Sequence, residues 1–291
     1  MSIVASLLSA ALALVSADPT STPTKPQVEV VTFDCGQLHF TDLGPFSDTG
    51  EYDGRPGVLQ ASCFLIRHPN GNLLWEAGLG DEVAEAPAGV QRANYRAVVR
   101  HTLKVQLADL GLRYDDIDFF AFSHGHADHL GNANRLKSAI WLVNTRELQW
   151  INGTPTPGRV DPRLIAARPT GQTRLIDGDY DVFGDGSVRI LFAPGHTPGH
   201  QVLLVRPAHG GPLLISGDLF HTHANRRHRR LPVFNVSRAD TLASMDRIET
   251  IVRETGAKVI IEHAAEDIGP RLHARVSVHR SRARLATGSL P

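Results

Sequence analysis

The sequence predicts a fold of mixed α and β structure, because short apolar strands alternate with amphipathic helices along most of the chain. The strand-like segments are rich in Val, Ile, Leu and Phe and are bounded by turn-forming residues. Two longer segments carry apolar residues at helical spacing instead. Residues able to bind metal directly follow several strands, so we expect the functional site to lie at strand ends.

The first half of the chain begins with a predicted strand over 28–33. Strands over 62–68 and 72–75 follow, and the Pro-Asn-Gly sequence between them predicts a tight hairpin turn. A helix is predicted over 94–110, where apolar residues recur at helical spacing before a glycine. The run 117–122 is apolar except at Asp118, which is typical of a strand buried on both faces.

Residues 151–171 are rich in Pro, Gly and Thr and predict an irregular insertion between two strand-rich halves. The second half resumes with strands and contains the second amphipathic helix, predicted over 241–255. Its strands are predicted over 188–192, 202–205, 213–215 and 259–261. The alternation of strands and helices therefore continues almost to the end of the chain.

Length and composition limit the class of protein. The 291 residues suffice for one large α/β domain or for two small ones. With 42% hydrophobic and 21% charged residues, the chain is an ordinary globular protein. The 30 basic and 30 acidic residues cancel, so the bulk charge indicates neither nucleic acid nor an anionic membrane as partner. We expect a small-molecule partner; the oligomeric state is open, with a homodimer among the candidates.

The two ends of the chain differ from the rest. In residues 1–26 an Ala- and Leu-rich stretch precedes small residues and a Pro/Thr/Ser-rich spacer, which predicts a secretory signal peptide. The stretch is shorter than the about 20 residues of a membrane-spanning helix, so no stable membrane span is expected. Because no Lys or Arg precedes it, a cytoplasmic location is the alternative to a periplasmic or secreted one. Residues 271–291 predict an Arg-rich, partly disordered tail, which leaves 27–270 as the folded domain.

The two cysteines, Cys35 and Cys63, both lie in apolar, strand-like surroundings. We predict buried thiols, with a disulfide in an oxidising compartment as the alternative. Two cysteines alone do not decide the compartment, because either state fits an apolar environment.

The most informative segment lies directly after the predicted strand 117–122. It reads Ser-His-Gly-His-Ala-Asp-His over 123–129, which places three imidazoles and one carboxylate within six residues. Imidazole nitrogens and carboxylate oxygens bind zinc and similar cations, and Gly125 and Ala127 keep the turn uncrowded. The segment therefore predicts a metal site. Its candidate ligands are His124, His126, Asp128 and His129.

Three further candidate ligands each directly follow an apolar strand. Side chains at the carboxyl ends of neighbouring strands converge on one crevice, so we expect these residues to meet the histidine segment. Together the two sets provide five histidines and two aspartates, enough for two metal sites that share a carboxylate. The three further candidates are His196, Asp218 and His263.

These motifs occur in the order of the metallo-β-lactamase-fold hydrolases, which the chain resembles over nearly all of residues 28–270. The segments that carry this resemblance are 124–129, 194–200, Gly217-Asp218 and His263. Within the superfamily the chain looks most like the N-acyl homoserine lactonase branch. The segments similar to that branch are 65–71, 217–221 and 260–263.

The resemblance implies an α+β fold, a four-layer αβ/βα sandwich with a binuclear metal centre along one edge. His124, His126 and His196 would bind the first metal ion. The second would be bound by Asp128, His129 and His263. Asp218 would bridge both, and two divalent ions about 3.5 to 4 Å apart do repel strongly unless a carboxylate and a hydroxide lie between them. Zn²⁺ is the favoured ion at both sites, with Fe, Co or Mn as alternatives.

Three residues near the ligands have expected roles of their own. Asp218 and His221 are the candidate catalytic residues, either of which would manage the proton. Some lactonases place a tyrosine at the position of His221, and a histidine would donate a hydrogen bond or proton but titrate nearer neutrality than a tyrosine. A pocket-lining role is the alternative for His221. His200 is expected to fix its loop rather than bind metal. Glu76 stands where many members carry a supporting Asp, and we expect it to support the metal loop likewise.

The resemblance implies a hydrolase in which a metal-bridging hydroxide, available because metal lowers the pKa of water to about 7, attacks a lactone or ester carbonyl. Hydrolysis of N-acyl homoserine lactones, hence quorum quenching, is the favoured reaction, with Phe220, Leu231 and Phe234 expected to hold the acyl chain. A glyoxalase II-type thioesterase, a phosphotriesterase and a β-lactamase are the alternatives on this fold. A non-catalytic metal-binding module is disfavoured, because all seven ligand positions are filled.

Overall fold

The structure, a computed structural model, describes residues 27–268. Within this range, the strands form two β-sheets that pack against each other, and the helices lie on their outer faces. The predicted signal peptide over 1–26 and the predicted tail over 271–291 lie outside the described residues. Among the described helices, none combines the length and the apolar character that crossing a membrane requires.

The first sheet has eight strands. In spatial order they are β4 (Val90–Gln91), β5 (Tyr95–Val98), β1 (Glu29–Phe40), β2 (Gly57–His68), β3 (Gly71–Trp75), β6 (Phe119–Ala121), β7 (Ile140–Asn144) and β8 (Thr173–Ile176). Strands β1, β2 and β3 pair antiparallel, whereas β6, β7 and β8 continue parallel to β3. Parallel strands end at the same edge of a sheet, so the loops after β6 and β7 leave on one side.

The second sheet has five strands. In spatial order they are β13 (Lys258–Ile260), β12 (Leu213–Ile215), β11 (Gln201–Val205), β10 (Val188–Phe192) and β9 (Tyr180–Asp181). Strands β12 and β13 are parallel, and the other pairs are antiparallel. The loops after β12 and β13 therefore leave this sheet at one edge as well.

Three apolar clusters separate the layers and confirm the expected αβ/βα sandwich. Between the sheets, side chains such as Trp75 and Ile190 are fully buried. On the outer face of the first sheet, Leu107 packs in a second cluster, and Met245 packs in a third on the outer face of the second sheet. The helices are α1 (Leu103–Asp109), α2 (Ala127–Leu130), α3 (Thr145–Ile151), α4 (His223–His228) and α5 (Arg238–Thr255).

The predicted strands and the helix over 241–255 correspond to observed elements, but the predicted helix over 94–110 is wrong in its first half. Strand β5 occupies that half because it pairs with the end of β1, where Leu38 lies opposite Ala97. Helix α1 starts only after Thr102, whose side chain accepts a hydrogen bond from the Val105 N–H. Pairing with the open edge of β1 thus makes this segment a strand, although its apolar residues have helical spacing.

The prediction of buried thiols is also wrong, because Cys35 and Cys63 form a disulfide. The two residues lie on neighbouring strands, with a Cα–Cα distance of 5.8 Å. A β-bulge between Asp34 and Gln37 interrupts the pairing of β1 with β2 and places Cys35 beside Cys63. Gly36 within the bulge has a φ of 127°, which disfavours any other residue. A bulge of this kind leaves no clear signal in the apolar pattern of the strand.

Replacing both cysteines by alanine (C35A/C63A) should lower the free energy of unfolding by about 3 to 4 kcal/mol, as expected when a loop of this length is no longer closed. The bond joins residues 28 positions apart. Urea unfolding followed by circular dichroism measures the difference, and wild-type protein kept in reductant serves as the matched control. A double variant as stable as the oxidised wild type would contradict the prediction.

Candidate metal centre

The segment 123–129 leaves β6 and turns back across the edge of the first sheet. His124 and His126 lie in the turn, and Asp128 lies in the short helix α2 that follows. The turn packs tightly against α3, because a Cβ atom at Gly125 would lie 2.4 Å from Cγ1 of Ile151. Only a glycine therefore allows the turn to lie this close to α3.

His124, His126 and His196 bring three ring nitrogens together. His124 Nε2 lies 2.7 Å from His126 Nδ1, and His196 Nε2 lies 3.2 Å from the same atom. Burial holds the pKa of both His124 and His126 well below the usual value. A neutral ring nitrogen carries either one lone pair or one hydrogen, so it makes only one good hydrogen bond, whereas a divalent cation accepts all three nitrogens.

Asp128, His129 and His263 form a second group of donors. One donor atom from each lies within 4.8 Å of the others. Asp128 Oδ2 is 3.8 Å from His129 Nε2 and 4.0 Å from His263 Nε2. Within the described residues, the buried His129 Nε2 has no hydrogen-bond partner. Such an atom is costly unless something binds it, so it is available as a ligand.

Asp218 lies between the two groups, and its two oxygens face different groups. Oδ2 is 3.6 Å from His124 Nε2 and 3.2 Å from His196 Nε2. Oδ1 is 3.3 Å from His129 Nε2 and 2.9 Å from His263 Nε2. Burial alone raises the pKa of Asp218, but the facing imidazoles, led by His263, outweigh it and hold the pKa well below its usual value. The residue is therefore an anion shared by both groups.

The structure thus brings all seven predicted ligand residues together, and they fit two divalent cations. The donors are imidazole nitrogens and carboxylate oxygens, which suit zinc and similar ions. Asp218 Oδ1, like His129 Nε2, is a buried atom: its contacts to His129 Nε2 at 3.3 Å and to His263 Nε2 at 2.9 Å do not have the direction of a hydrogen bond, so it is available to a cation. Of the seven side chains only that of Asp128 is more than slightly exposed, which leaves the centre open on the Asp128 side.

Four ligand candidates are oriented by a polar contact at the second ring nitrogen. Contacts of this kind fix the tautomer and the direction of an imidazole that binds metal. The contacts join His124 Nδ1 to Ser123 Oγ at 2.9 Å, His129 Nδ1 to Glu76 Oε2 at 3.2 Å, His196 Nδ1 to Asn235 Oδ1 at 2.7 Å and His263 Nδ1 to the Gln60 carbonyl at 2.6 Å. The nitrogens that face the centre are thereby selected by the protein.

Glu76 occupies the supporting position that we expected for it. Its Oε1 accepts a hydrogen bond from the Ser123 N–H at 2.8 Å, and its Oε2 faces His129. A second buried carboxyl, that of Glu262, lies in the same cluster and was not predicted. Burial, followed by the charge of Glu76, raises the pKa of Glu262 well above its usual value. Glu262 is therefore favoured as a neutral acid behind His129.

Glu147 is the most consequential residue that sequence reasoning missed. Its Oε1 accepts a hydrogen bond from the Gly125 N–H at 2.7 Å. Its Oε2 accepts from the Thr197 hydroxyl at 2.7 Å and from the Gly199 N–H at 2.9 Å. Glu147 thus joins the loop of His124 and His126 to the loop of His196. The only signal in the sequence is an acidic residue among the apolar residues of α3, a helix that we did not predict.

His200 fixes its loop, as expected, rather than joining either group of donors. Its Nδ1 donates to the Ala193 carbonyl at 3.0 Å, and its Nε2 accepts from the Asp218 N–H at 3.0 Å. Both ring nitrogens are therefore occupied by the backbone. Burial lowers the pKa of His200 to about 3, so the ring stays neutral and keeps this pattern.

His221 lies beside the centre, as predicted, but it does not titrate near neutrality. Burial lowers its pKa to about 4, because the nearby charge of Asp218 only partly compensates for the lost water. Its Nε2 is 3.0 Å from Asp218 Oδ2, and its ring stacks on that of His263 with 5.3 Å between centroids. At pH 7 the ring is neutral and offers one N–H donor, rather than the charge of an imidazolium.

A cavity of about 250 Å³ opens onto the centre at Asp128 and Asp218. Leu38, Phe46 and other apolar side chains form one wall of this cavity. The prediction that Phe220, Leu231 and Phe234 would line the site holds only for Phe234. The first two are buried instead in the cluster beneath α5, with Met245 and Ile248.

The chain is similar in sequence to known proteins over most of this region. Residues 56–263 match the family described as the Metallo-beta-lactamase superfamily. The N-acyl homoserine lactonase AttM of Azorhizobium caulinodans is 34% identical over 211 residues, which are 69% of this chain and 80% of that protein. An N-acyl homoserine lactonase of Bacillus cereus is 22% identical over 210 residues, or 70% and 81% of the two chains.

Solved structures of similar fold include lactonases. One described as a quorum-quenching N-acyl homoserine lactone lactonase has a TM-score of 0.71 at 21% identity, over 82% of this chain and 94% of that one. An N-acyl homoserine lactone hydrolase with N-hexanoyl-L-homoserine at its catalytic metal centre has a TM-score of 0.70 at 20% identity, over 84% and 95%. AidC, described as a dizinc quorum-quenching lactonase, has a TM-score of 0.62 at 18% identity, over 82% and 90%. At these identities the likeness shows the fold.

Replacing Glu147 by alanine should lower the free energy of unfolding by about 3 kcal/mol or more, because three donors lose a buried acceptor. Glu147→Gln keeps the shape but turns an NH₂ group toward a donor, so we expect a smaller loss. Urea unfolding of the purified variants measures both values. The matched control is Glu254→Ala on the exposed surface of α5, which should change the value by less than about 0.5 kcal/mol. Equal effects at the two positions would exclude the role given to Glu147.

Proposed function

Because the chain belongs to the metallo-β-lactamase superfamily, we propose that it is a metal-dependent hydrolase that opens N-acyl homoserine lactones. The observation that carries this proposal is Asp218, whose two oxygens each face a separate group of ligand candidates. A relative 34% identical to the chain is named N-acyl homoserine lactonase, which supports the choice of substrate. Hydrolysis of such signals would amount to quorum quenching.

The seven ligand candidates divide between two cations in this proposal. His124, His126 and His196 would hold the first, Asp128, His129 and His263 would hold the second, and Asp218 would contact both. Bound there, two divalent cations would activate water as a nucleophile at neutral pH and polarise the substrate carbonyl. Zn²⁺ suits these nitrogen and oxygen donors, and the similar AidC is described as dizinc. Fe, Co and Mn are the alternatives that metal analysis distinguishes.

The remaining side chains of the site bind and orient the substrate. His221, neutral and fixed by its stacking on His263, can donate its Nε2 hydrogen to an oxygen that gains negative charge during ring opening. The apolar wall that includes Leu38 and Phe46 takes the acyl chain and excludes water from that side. Asp218 would bind both cations, and accepting a proton during the reaction would cost it contacts with both groups of ligand candidates.

We also propose that the protein acts outside the cytoplasm, in the periplasm or the medium. The disulfide between Cys35 and Cys63 supports this location, because disulfides persist in oxidising compartments and are rare in the cytosol. A quorum-quenching enzyme in that location would meet its substrate as the signal crosses the cell envelope. The proposal concerns location only and does not depend on which lactone is opened.

The purified, metal-loaded protein should open N-acyl homoserine lactones of several acyl-chain lengths. A pH-stat measures the reaction, because each ring opened releases a proton. Protein stripped of metal with a chelator is the control and should be inactive until metal is restored. The proposal fails if no lactone is opened while a glutathione thioester, a phosphotriester or a β-lactam is cleaved.

Two substitutions separate metal binding from the role of His221. Asp218→Asn should lower metal affinity by more than about 100-fold, which exceeds the loss usual for residues that only orient ligands. His221→Phe keeps an aromatic ring but removes the N–H donor, and it should leave about two metal equivalents per chain while kcat falls about 100-fold, as for loss of one donor to a developing charge. Elemental analysis and initial rates measure the two effects. Full turnover in Asp218→Asn would contradict the shared-carboxylate arrangement.

A further inference from the structure

The irregular insertion places one cationic side chain, that of Arg159, at the rim of the cavity. The backbone of the insertion is hydrogen-bonded to the segment 123–129: the Ala127 N–H donates to the Arg159 carbonyl at 3.0 Å, and Val160 pairs with His126. Arg159 itself adopts a left-handed backbone, with a φ of 67°. Its position relative to the centre is therefore fixed by the segment 123–129, which carries four of the ligand candidates.

The guanidinium of Arg159 is held in place by stacking. Its Cζ atom lies 3.7 Å from the centre of the Phe234 ring, well within the range of a cation–π contact. That ring in turn lies against the rings of His126 and His196, with 6.2 and 5.8 Å between centroids. Arg159 is exposed, so a ligand in the cavity can reach it. Stacking of this kind orients the planar guanidinium and lowers the entropy lost when a ligand binds.

The N–H donors of Arg159 are not used by the protein. No side-chain hydrogen bond or ion pair of Arg159 occurs among residues 27–268. Arg92, the other arginine that lines the cavity, also has no side-chain hydrogen bond or ion pair among the described residues, but only Arg159 of the two stacks on an aromatic ring there. An oriented guanidinium with free donors at the rim of a cavity fits an acceptor on the ligand, such as a carbonyl oxygen.

We propose that Arg159 is a specificity-determining residue that donates hydrogen bonds to the exocyclic amide carbonyl of the substrate. The inference rests on the proposed function: an N-acyl homoserine lactone has two carbonyls, and the amide carbonyl is separated from the lactone carbonyl only by one ring carbon and the amide nitrogen. With the lactone carbonyl at the centre, the amide oxygen lies toward the rim and the acyl chain continues along the apolar wall. Arg159 therefore selects lactones that carry an acylamino group over simple lactones.

The test compares two substrates in wild type and Arg159→Met. N-hexanoyl-L-homoserine lactone carries the amide, and α-hexyl-γ-butyrolactone has the same ring and a similar chain at the same ring carbon without it. For the amide substrate we expect kcat/KM to fall about tenfold, mostly through KM, as for loss of one hydrogen bond from a charged donor. For the simple lactone we expect a change of less than about twofold.

Two further variants make the result specific. Arg159→Lys keeps the charge but loses the planar stacked fork, so its discrimination between the substrates should lie between wild type and Arg159→Met. Arg92→Met removes a positive charge from the same cavity and should affect both substrates alike. An equal loss for both substrates in Arg159→Met, or no loss, would overturn the inference. If wild type opens neither lactone, the proposed function itself fails, which is a different outcome.

Discussion

The carboxylate of Asp218, held between two groups of buried imidazoles, is the interaction on which the rest of the structure depends. Removing an anion from water is costly, and at Asp218 imidazole nitrogens at 2.9 to 3.6 Å from its oxygens offset that cost on both sides. To surround Asp218 in this way, loops from both sheets must leave their strands at the same edge of the sandwich. The two sets of parallel strands provide this, because β6, β12 and β13 all end where ligand candidates begin.

The geometry of the centre is therefore coupled to the packing of one sheet on the other. Glu147 joins a loop of the first sheet to a loop of the second. Gln60 and His263 do the same by reciprocal bonds: the Gln60 N–H donates to the His263 carbonyl at 3.1 Å, while His263 Nδ1 contacts the Gln60 carbonyl. A shift between the sheets would change the distances between ligand groups, so the apolar cluster between the sheets also maintains the site.

The ligand candidates were predictable because residue types that bind metal directly follow apolar strands, and both features are local in the sequence. Glu147 was not, because its three partners are 22 to 52 positions away and lie on two loops. The disulfide was hidden by a bulge that shifts the strand pairing. Strand β5 was mistaken for helix because local spacing does not report the open edge of β1. In each case a contact between residues distant in sequence determines the local structure, and the spacing of apolar residues gives no information about such a contact.

The backbone pairing of the insertion with the metal loop has a consequence for how such an enzyme diversifies. The backbone carbonyl of Arg159 accepts a hydrogen bond from the N–H of Ala127, and Ala127 lies between the ligand candidates His126 and Asp128. Lengthening or shortening the insertion would therefore pull on the two neighbouring ligands. Substrate preference and metal binding are therefore not independent properties of this chain. If evolution changed the insertion to suit a substrate with a different acyl group, compensating changes would be needed in the segment 123–129. Epistasis between residues 126–128 and 159–160 is the signature that this coupling would leave.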